Sequence, residues 1–260
     1  MFTSFWLLII LVPLVFQVKY IPTMLSISKE MALLLRLRHF GWGIISIIGV
    51  LSITILLMGL FPTLRWGWLI NLTGTNEVAP EGYVASWHAV TVLGMTSLGI
   101  LFVMLLLPFF AYSEEIIFRR PFLESSWWVV VLSCLGFGLA HLVMGIPIAA
   151  AIALSFPGGI FYIVAKRKYD AVKAKEQSKF RSMIRDVMES HDSTGSDNRR
   201  KVLIPEKSED YPTVLSMVAE DEAVKESTAA HAAHNLMLMS ILLLSMLVNL
   251  GYNLMLLTSS

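Results

Sequence analysis

Two glutamates, Glu114 and Glu115, stand side by side directly after the apolar run Leu105–Tyr112, and few residues could work with them. Outside one long polar segment the acidic residues are only Glu30, Glu77, Glu81, Glu114, Glu115 and Glu124. His141 lies well inside an apolar stretch, and His231 and Asn235 fall four apart at the start of the last one, a spacing that shares a helical face. Ionisable groups inside a membrane helix cost several kcal/mol, so they normally face a cavity and are paired. Arg119 follows Glu115 by four, the favourable order for a helical ion pair. Glu114, rotated by about 100° on the same helix, points elsewhere, so one carboxylate can be neutralised while the other stays available. A carboxylate in a poorly solvated site suits general-base work, and imidazole and carboxamide N–H groups suit a developing oxyanion. Plainer readings stand beside this one. The glutamates also read as interfacial charges capping a span, a lone buried histidine as an interior hydrogen-bonder, and His234, about 60° from His231, as an interfacial group. Glu114, His141 and His231 also have the donor types of a zinc site.

The elements that must position these residues follow from composition. Of 260 residues, 56% are hydrophobic and 15% charged, with a mean hydropathy of +0.69. A soluble domain is about a quarter charged, so a soluble class is excluded. Gly41–Leu64 and Ala89–Ser113 carry no charge, and Ser125–Ala165 carries only His141. That last stretch is long enough for two spans folded at Gly145-Ile146-Pro147. Ser227–Ser260 holds only His231 and His234. Phe2–Val18 is shorter, but it lacks a basic leader and a small-residue cleavage site, so it reads as a retained first span. The expected fold is therefore all-α, a polytopic membrane helix bundle of six helices, or seven or eight if the basic region around Arg38 hides more.

Basic residues set the orientation, because Lys and Arg collect on the cytoplasmic side. The first loop holds Lys19, Lys29, Arg36 and Arg38, the segment after the third span Arg119 and Arg120, and Lys166–Glu226 thirteen more. Only Arg65 falls on the opposite face, so the long segment is expected in the cytoplasm. Thirteen acidic residues balance its charge, so it is no polybasic tail, and nothing in the chain points to nucleic acid. Within it, Phe180, Met183, Ile184, Val187 and Met188 have amphipathic-helix spacing, with Lys175, Lys179, Arg181 and Arg185 on the other face. Such a helix could extend the fifth span into the cytoplasm and pack on its neighbours, lie on the membrane, or dock a partner. Ser193-Thr-Gly-Ser-Asp-Asn198 reads as a flexible break. A single cysteine, Cys134, allows no disulfide framework, and Gly136-Phe137-Gly138 lacks the third glycine of a nucleotide-binding turn. Asn71-Leu72-Thr73 is a formal glycosylation sequon.

Three short motifs occur in order on successive apolar segments. Glu114-Glu115-Ile116-Ile117-Phe118-Arg119 reads E-E-x-x-x-R, Phe137-Gly138-Leu139-Ala140-His141 reads F-x-x-x-H, and His231-Ala-Ala-His-Asn235 reads H-x-x-x-N. Together, over roughly Ala89–Leu257, they resemble the CAAX-protease and bacteriocin-processing (CPBP, or abortive-infection) family of glutamic intramembrane endopeptidases, which includes the type II CAAX prenyl endopeptidase. The resemblance implies a catalytic core of about four helices and no metal or other cofactor. It implies that Glu114 and His141 activate a water, that His231 and Asn235 stabilise the oxyanion, and that Glu115, Arg119 and Phe137 support them. It further implies a peptide or membrane-protein substrate and a multi-pass protein of a bacterial plasma membrane, or of the endoplasmic reticulum or another organelle in a eukaryote. Residues 1–88 then form N-terminal helices and loops, 89–165 with 227–260 the catalytic core, and 166–226 an inserted cytoplasmic segment able to bind a protein partner.

Relatives join the second and third motif helices by a compact hairpin, whereas about sixty residues intervene here. Depth sets a further condition. Counted at about 1.5 Å per residue from a turn near Glu124-Ser125-Ser126, Glu114 is about 15 Å and His141 about 23 Å away, so they meet only if helices tilt or the segment around Pro121 is not regular helix. Alternatives in other classes are a non-proteolytic scaffold or immunity protein of the same fold, a zinc-dependent hydrolase, and a transporter. The transporter would need broken helices, for which Pro157-Gly158-Gly159 offers the one candidate.

Overall fold

A computed structural model describes residues 21–67, 87–192 and 210–259. The Phe2–Val18 span, the sequon at Asn71, Glu77, Glu81 and the Ser193–Asn198 break lie outside the described residues. Seven α-helices occur among the described residues: α1 Ile21–Leu33, α2 Leu37–Leu60, α3 Trp87–Phe118, α4 Trp127–Ala140, α5 Ile148–Ala153, α6 Ser155–Asp192 and α7 Asp210–Ser259. No strand is found among them. Four helical stretches are long and apolar enough to cross a membrane: Leu37–Leu60, Val90–Phe122, Ile148–Asp186 and Val214–Thr258. Trp127–Val143 is apolar but shorter. These five stretches fall on the expected apolar segments.

The bundle is inverted relative to a soluble protein. Ile48, Ile55, Leu98, Leu132, Ile241 and Val248 are exposed on its outside, while charged and polar side chains including Glu115, Arg119, His231 and His234 are buried. Hydrocarbon gives helices no hydrophobic reason to associate, so small residues that let backbones approach take over. The run Ala229-Ala230-His231-Ala232-Ala233-His234 is wholly buried, and α7 packs on α2, α3 and α6 around it. Gly43 of α2 meets the α7 backbone at His234, where an added Cβ would stand 3.2 Å from it. Gly138 of α4 lies so close to the α5–α6 junction that a Cβ would be 2.3 Å from the carbonyl oxygen of Ala151.

The expected fold-back within Ser125–Ala165 occurs at Gly145, which ends a 3-10 turn with φ 82°, a left-handed conformation that glycine adopts without penalty. Pro157-Gly158-Gly159 does not break α6. Pro157 falls in the first turn of the helix, where its missing N–H is not needed, and Gly158 admits α4 at Phe137 and Cys134. Helix α3 does end before Pro121: Arg119 leaves helical geometry (φ −125°, ψ −52°), and Arg120–Phe122 form a 3-10 turn. The segment around Pro121 is therefore not regular helix, but the contacts His141 makes among the described residues are to Phe137 and not to Glu114. The Ser133 hydroxyl donates to the carbonyl of Phe118 at 2.6 Å, which sets Phe137, one turn on, at the level of the glutamates.

Residues 166–226 are continuous with the spans at both of their ends. Helix α6 runs through Lys166 to Asp192, and α7 begins at Asp210, sixteen residues before Glu226, so the described part is an antiparallel pair of helices. Leu123, Ala165, Tyr169, Ala219 and Ala223 form a buried cluster at its base. Of the amphipathic stretch, Phe180 and Ile184 are half-buried and Met183 is exposed. The contact at Gly138 generates a sharp contrast. Gly138→Ala is expected to destabilise by about 1–3 kcal/mol through backbone overpacking, whereas Gly136→Ala, whose Cβ would meet nothing nearer than Phe118 at 3.9 Å, is expected to be neutral or stabilising. Thermal unfolding of the two variants in detergent micelles checks the difference.

Candidate functional site

Polar groups of α3 and α7 and aromatic rings of α4 and α6 meet at one buried point. The expected Glu115–Arg119 pair forms, with Arg119 Nε 3.6 Å from Glu115 Oε2 and both side chains 0% exposed. Glu114, on the adjacent helical position, is 31% exposed. One carboxylate is thus compensated inside the protein and its neighbour remains accessible, as the 100° rotation between them requires.

His231 links the two. Its Nδ1 donates to Glu115 Oε1 at 3.0 Å, and its Nε2 stands 3.4 Å from Glu114 Oε2. An imidazole between two carboxylates can carry a proton to either, since both ring nitrogens donate in the protonated form and one accepts in the neutral form. Aromatic rings hold it in place. Phe161 of α6 stacks on His231 at 4.5 Å, and Phe137 of α4 meets it edge-on at 5.4 Å. Phe137 also carries the Arg119 guanidinium over its face at 4.5 Å and touches His141 at 5.0 Å and Phe118 at 5.6 Å. A cation over a desolvated ring is worth about 2 kcal/mol, so Phe137 also stabilises the charge that compensates Glu115.

The remaining histidines divide by their hydrogen bonds. His141 shares Phe137 but makes no ion pair with Glu114 or Glu115 among the described residues. Its Nδ1 donates to the Phe137 carbonyl at 2.8 Å, which fixes the tautomer and leaves Nε2 free to accept. His234, expected at an interface, is instead buried, with Nδ1 2.9 Å from the Ser46 hydroxyl. The close approach at Gly43 presses α2 onto that face of α7. Among the described residues Asn235, half-buried, makes no hydrogen bond to Glu114, Glu115 or His231. The structure therefore joins Glu114, Glu115, Arg119, Phe137 and His231 directly, and His141 through Phe137.

Sequence reasoning missed Phe161, Ser46 and His39. His39 accepts the Arg36 N–H on Nδ1 at 3.0 Å, so its Nε2–H donates to Glu226 at 2.8 Å, and Arg38 reaches the same carboxylate oxygen at 2.6 Å. Nearly two hundred residues separate these partners, and no local spacing signals them. No group of three or more His, Cys, Asp or Glu side chains suited to hold a metal ion occurs among the described residues. Nε and Nη2 of Arg119, Oε2 of Glu115 and Oε2 of Glu114 are buried without a hydrogen-bond partner. The site is thus held more by charge and ring contacts than by saturated hydrogen bonding.

Removing one partner of a buried pair costs about 3–5 kcal/mol, because the other charge is left uncompensated. Arg119→Leu is expected to lose that much stability, and Arg119→Leu with Glu115→Leu to recover part of it, as read by thermal unfolding in micelles. No family model, curated protein or solved structure matches this chain.

Proposed function

We propose that this protein is an intramembrane endopeptidase in which Glu114 activates a water for attack on a peptide carbonyl. The observation that carries the reading is the accessible Glu114 carboxylate held 3.4 Å from an imidazole whose far side is anchored on a buried, arginine-compensated glutamate. Two of the three motifs that resemble the CPBP family, Glu114–Arg119 and His231–Asn235, contribute every one of these residues.

Chemically, Glu114 takes the proton of the attacking water, and His231 stands ready to pass a proton onward to the leaving amine. Glu115 orients the imidazole through Nδ1, as a carboxylate does in other imidazole-based sites. His231 thereby takes a larger share of the proton transfer than the family resemblance implies. Asn235, four residues beyond His231, is left to donate its carboxamide N–H to the carbonyl and the oxyanion, and His141, whose Nε2 can accept, to help Glu114 draw the proton from the water. Access fits this chemistry. His231 lies five residues beyond Glu226, about 7–8 Å along α7, and Glu226 pairs with the half-exposed Arg38. On the orientation set by the basic residues, the site is reached from the cytoplasmic face, with the α6–α7 hairpin on the same side.

General acid–base catalysis contributes about 10²–10⁴-fold, so Glu114→Gln and His231→Ala are each expected to reduce cleavage at least a hundredfold while leaving the protein folded. New polypeptide N-termini mapped in membranes carrying the wild type and each variant provide the measurement. Termini that persist unchanged in both variants would overturn the mechanism. Termini absent from wild-type membranes as well would point instead to a non-proteolytic scaffold on the same bundle.

A further inference from the structure

The turn that follows the site, Arg119–Ser126, is held almost entirely by the α6–α7 hairpin. Arg119 points inward to Glu115 and Phe137, while Arg120, the next residue, points outward and pairs with Glu220 of α7 at 3.2 Å. Leu123 is buried among Ala165 and Tyr169 of α6 and Ala219 and Ala223 of α7. Glu124 accepts hydrogen bonds from the Tyr169 hydroxyl and, at 2.5 Å, from Lys173. The Lys173 ammonium and the Tyr169 hydroxyl hold its carboxyl below the usual carboxylate range, so it is ionised at neutral pH. The Tyr162 hydroxyl reaches the Phe122 carbonyl at 3.4 Å. Four successive attachments on one short turn all lead to the same two helices.

We propose that Glu124, Tyr169, Lys173 and the Arg120–Glu220 pair are positioning residues for the site, acting through the placement of Arg119. A shift of the turn moves the guanidinium away from Glu115, and Glu115 orients His231, which faces Glu114. The segment 166–226 is then part of the site's support, and whatever moves the two helices apart at their base also moves the buried cation. The activity arm of the test rests on the endopeptidase reading. The structural arm does not.

The test uses the full chain in nanodiscs, with Tyr169→Phe and Glu220→Gln together, and Lys179→Gln as a control. Lys179 pairs with Glu176 farther out on α6 and touches none of the turn. Hydrogen exchange reads the turn through the amides of Arg119, Phe122 and Ser125, which bond to the carbonyls of Glu115, Arg119 and Phe122. The double variant is expected to lose protection there by at least tenfold, with α4 and the distal hairpin unchanged and the control silent. Cleavage, once detected, is expected to lose kcat by at least tenfold with KM within twofold. The swapped pair Arg120→Glu with Glu220→Arg, on otherwise wild-type protein, is expected to keep both the protection and the rate. Unchanged exchange at the turn overturns the proposal whatever the activity does. Protection lost along all of α6 and α7 also overturns it, because the residues then serve the fold at large. Protection lost at the turn alone, in a protein whose wild type cleaves nothing, sinks the endopeptidase reading and leaves the coupling standing.

Discussion

A carboxylate with no exposed surface, Glu115, is the constraint around which the bundle interior is arranged. Burying a charge away from water is tolerable only with a close partner, and Arg119 supplies it one helical turn away. That guanidinium is equally dehydrated, so it lies over the face of Phe137. The second oxygen of Glu115 draws the Nδ1–H of His231, and the imidazole is sandwiched against Phe161. Each neighbour is thus called for by the need to compensate the one before it. The accessible Glu114 is the product of this arrangement, a carboxylate beside a fixed imidazole and free to meet another molecule.

Close helix approach makes the arrangement reachable. Alanines on both sides of His231 let α7 sit against three other helices, so one imidazole can touch side chains from α3, α4 and α6. Larger residues there would hold the backbones apart and leave Glu115 without its second partner. At the end nearer the polar segment, α7 is tied to the start of α2 through Glu226, Arg38 and His39. The α3–α4 turn is tied to the hairpin through Leu123 and Glu124. A site built from four helices therefore depends on contacts made outside the apolar region, in a segment that reads in sequence as a separate insertion.

Much of this was legible before any coordinates. Uncharged runs located the helices because hydrocarbon forbids unpaired backbone groups and charges alike. The i, i+4 spacing of Glu115 and Arg119 named a pair that forms, since Glu115 lies in the last turn of α3 and the Arg119 N–H still bonds to its carbonyl. The break in helix at Pro121 was legible only as a condition on how Glu114 and His141 could meet, because a proline shows that a helix ends and not where the chain goes next. The amphipathic spacing after Lys166 allowed a helix extending the fifth span, as α6 does, but the start of α7 at Asp210 was not legible, because charge balance signals exposure and says little about helix ends.

By itself the sequence determined that the chain is helical and apolar enough for a membrane, which residues carry reactive groups, and which neighbours share a helical face. These are local properties, set by side-chain chemistry and a fixed rise per residue. Only the tertiary structure decided which histidine meets the glutamates. His141 and His231 are equally plausible partners by type, and the choice falls to His231 because α7 packs closely on α3 while His141 spends its Nδ1 on the Phe137 carbonyl. Such selection depends on helix crossings between residues more than a hundred positions apart, and no periodicity within a single segment encodes them.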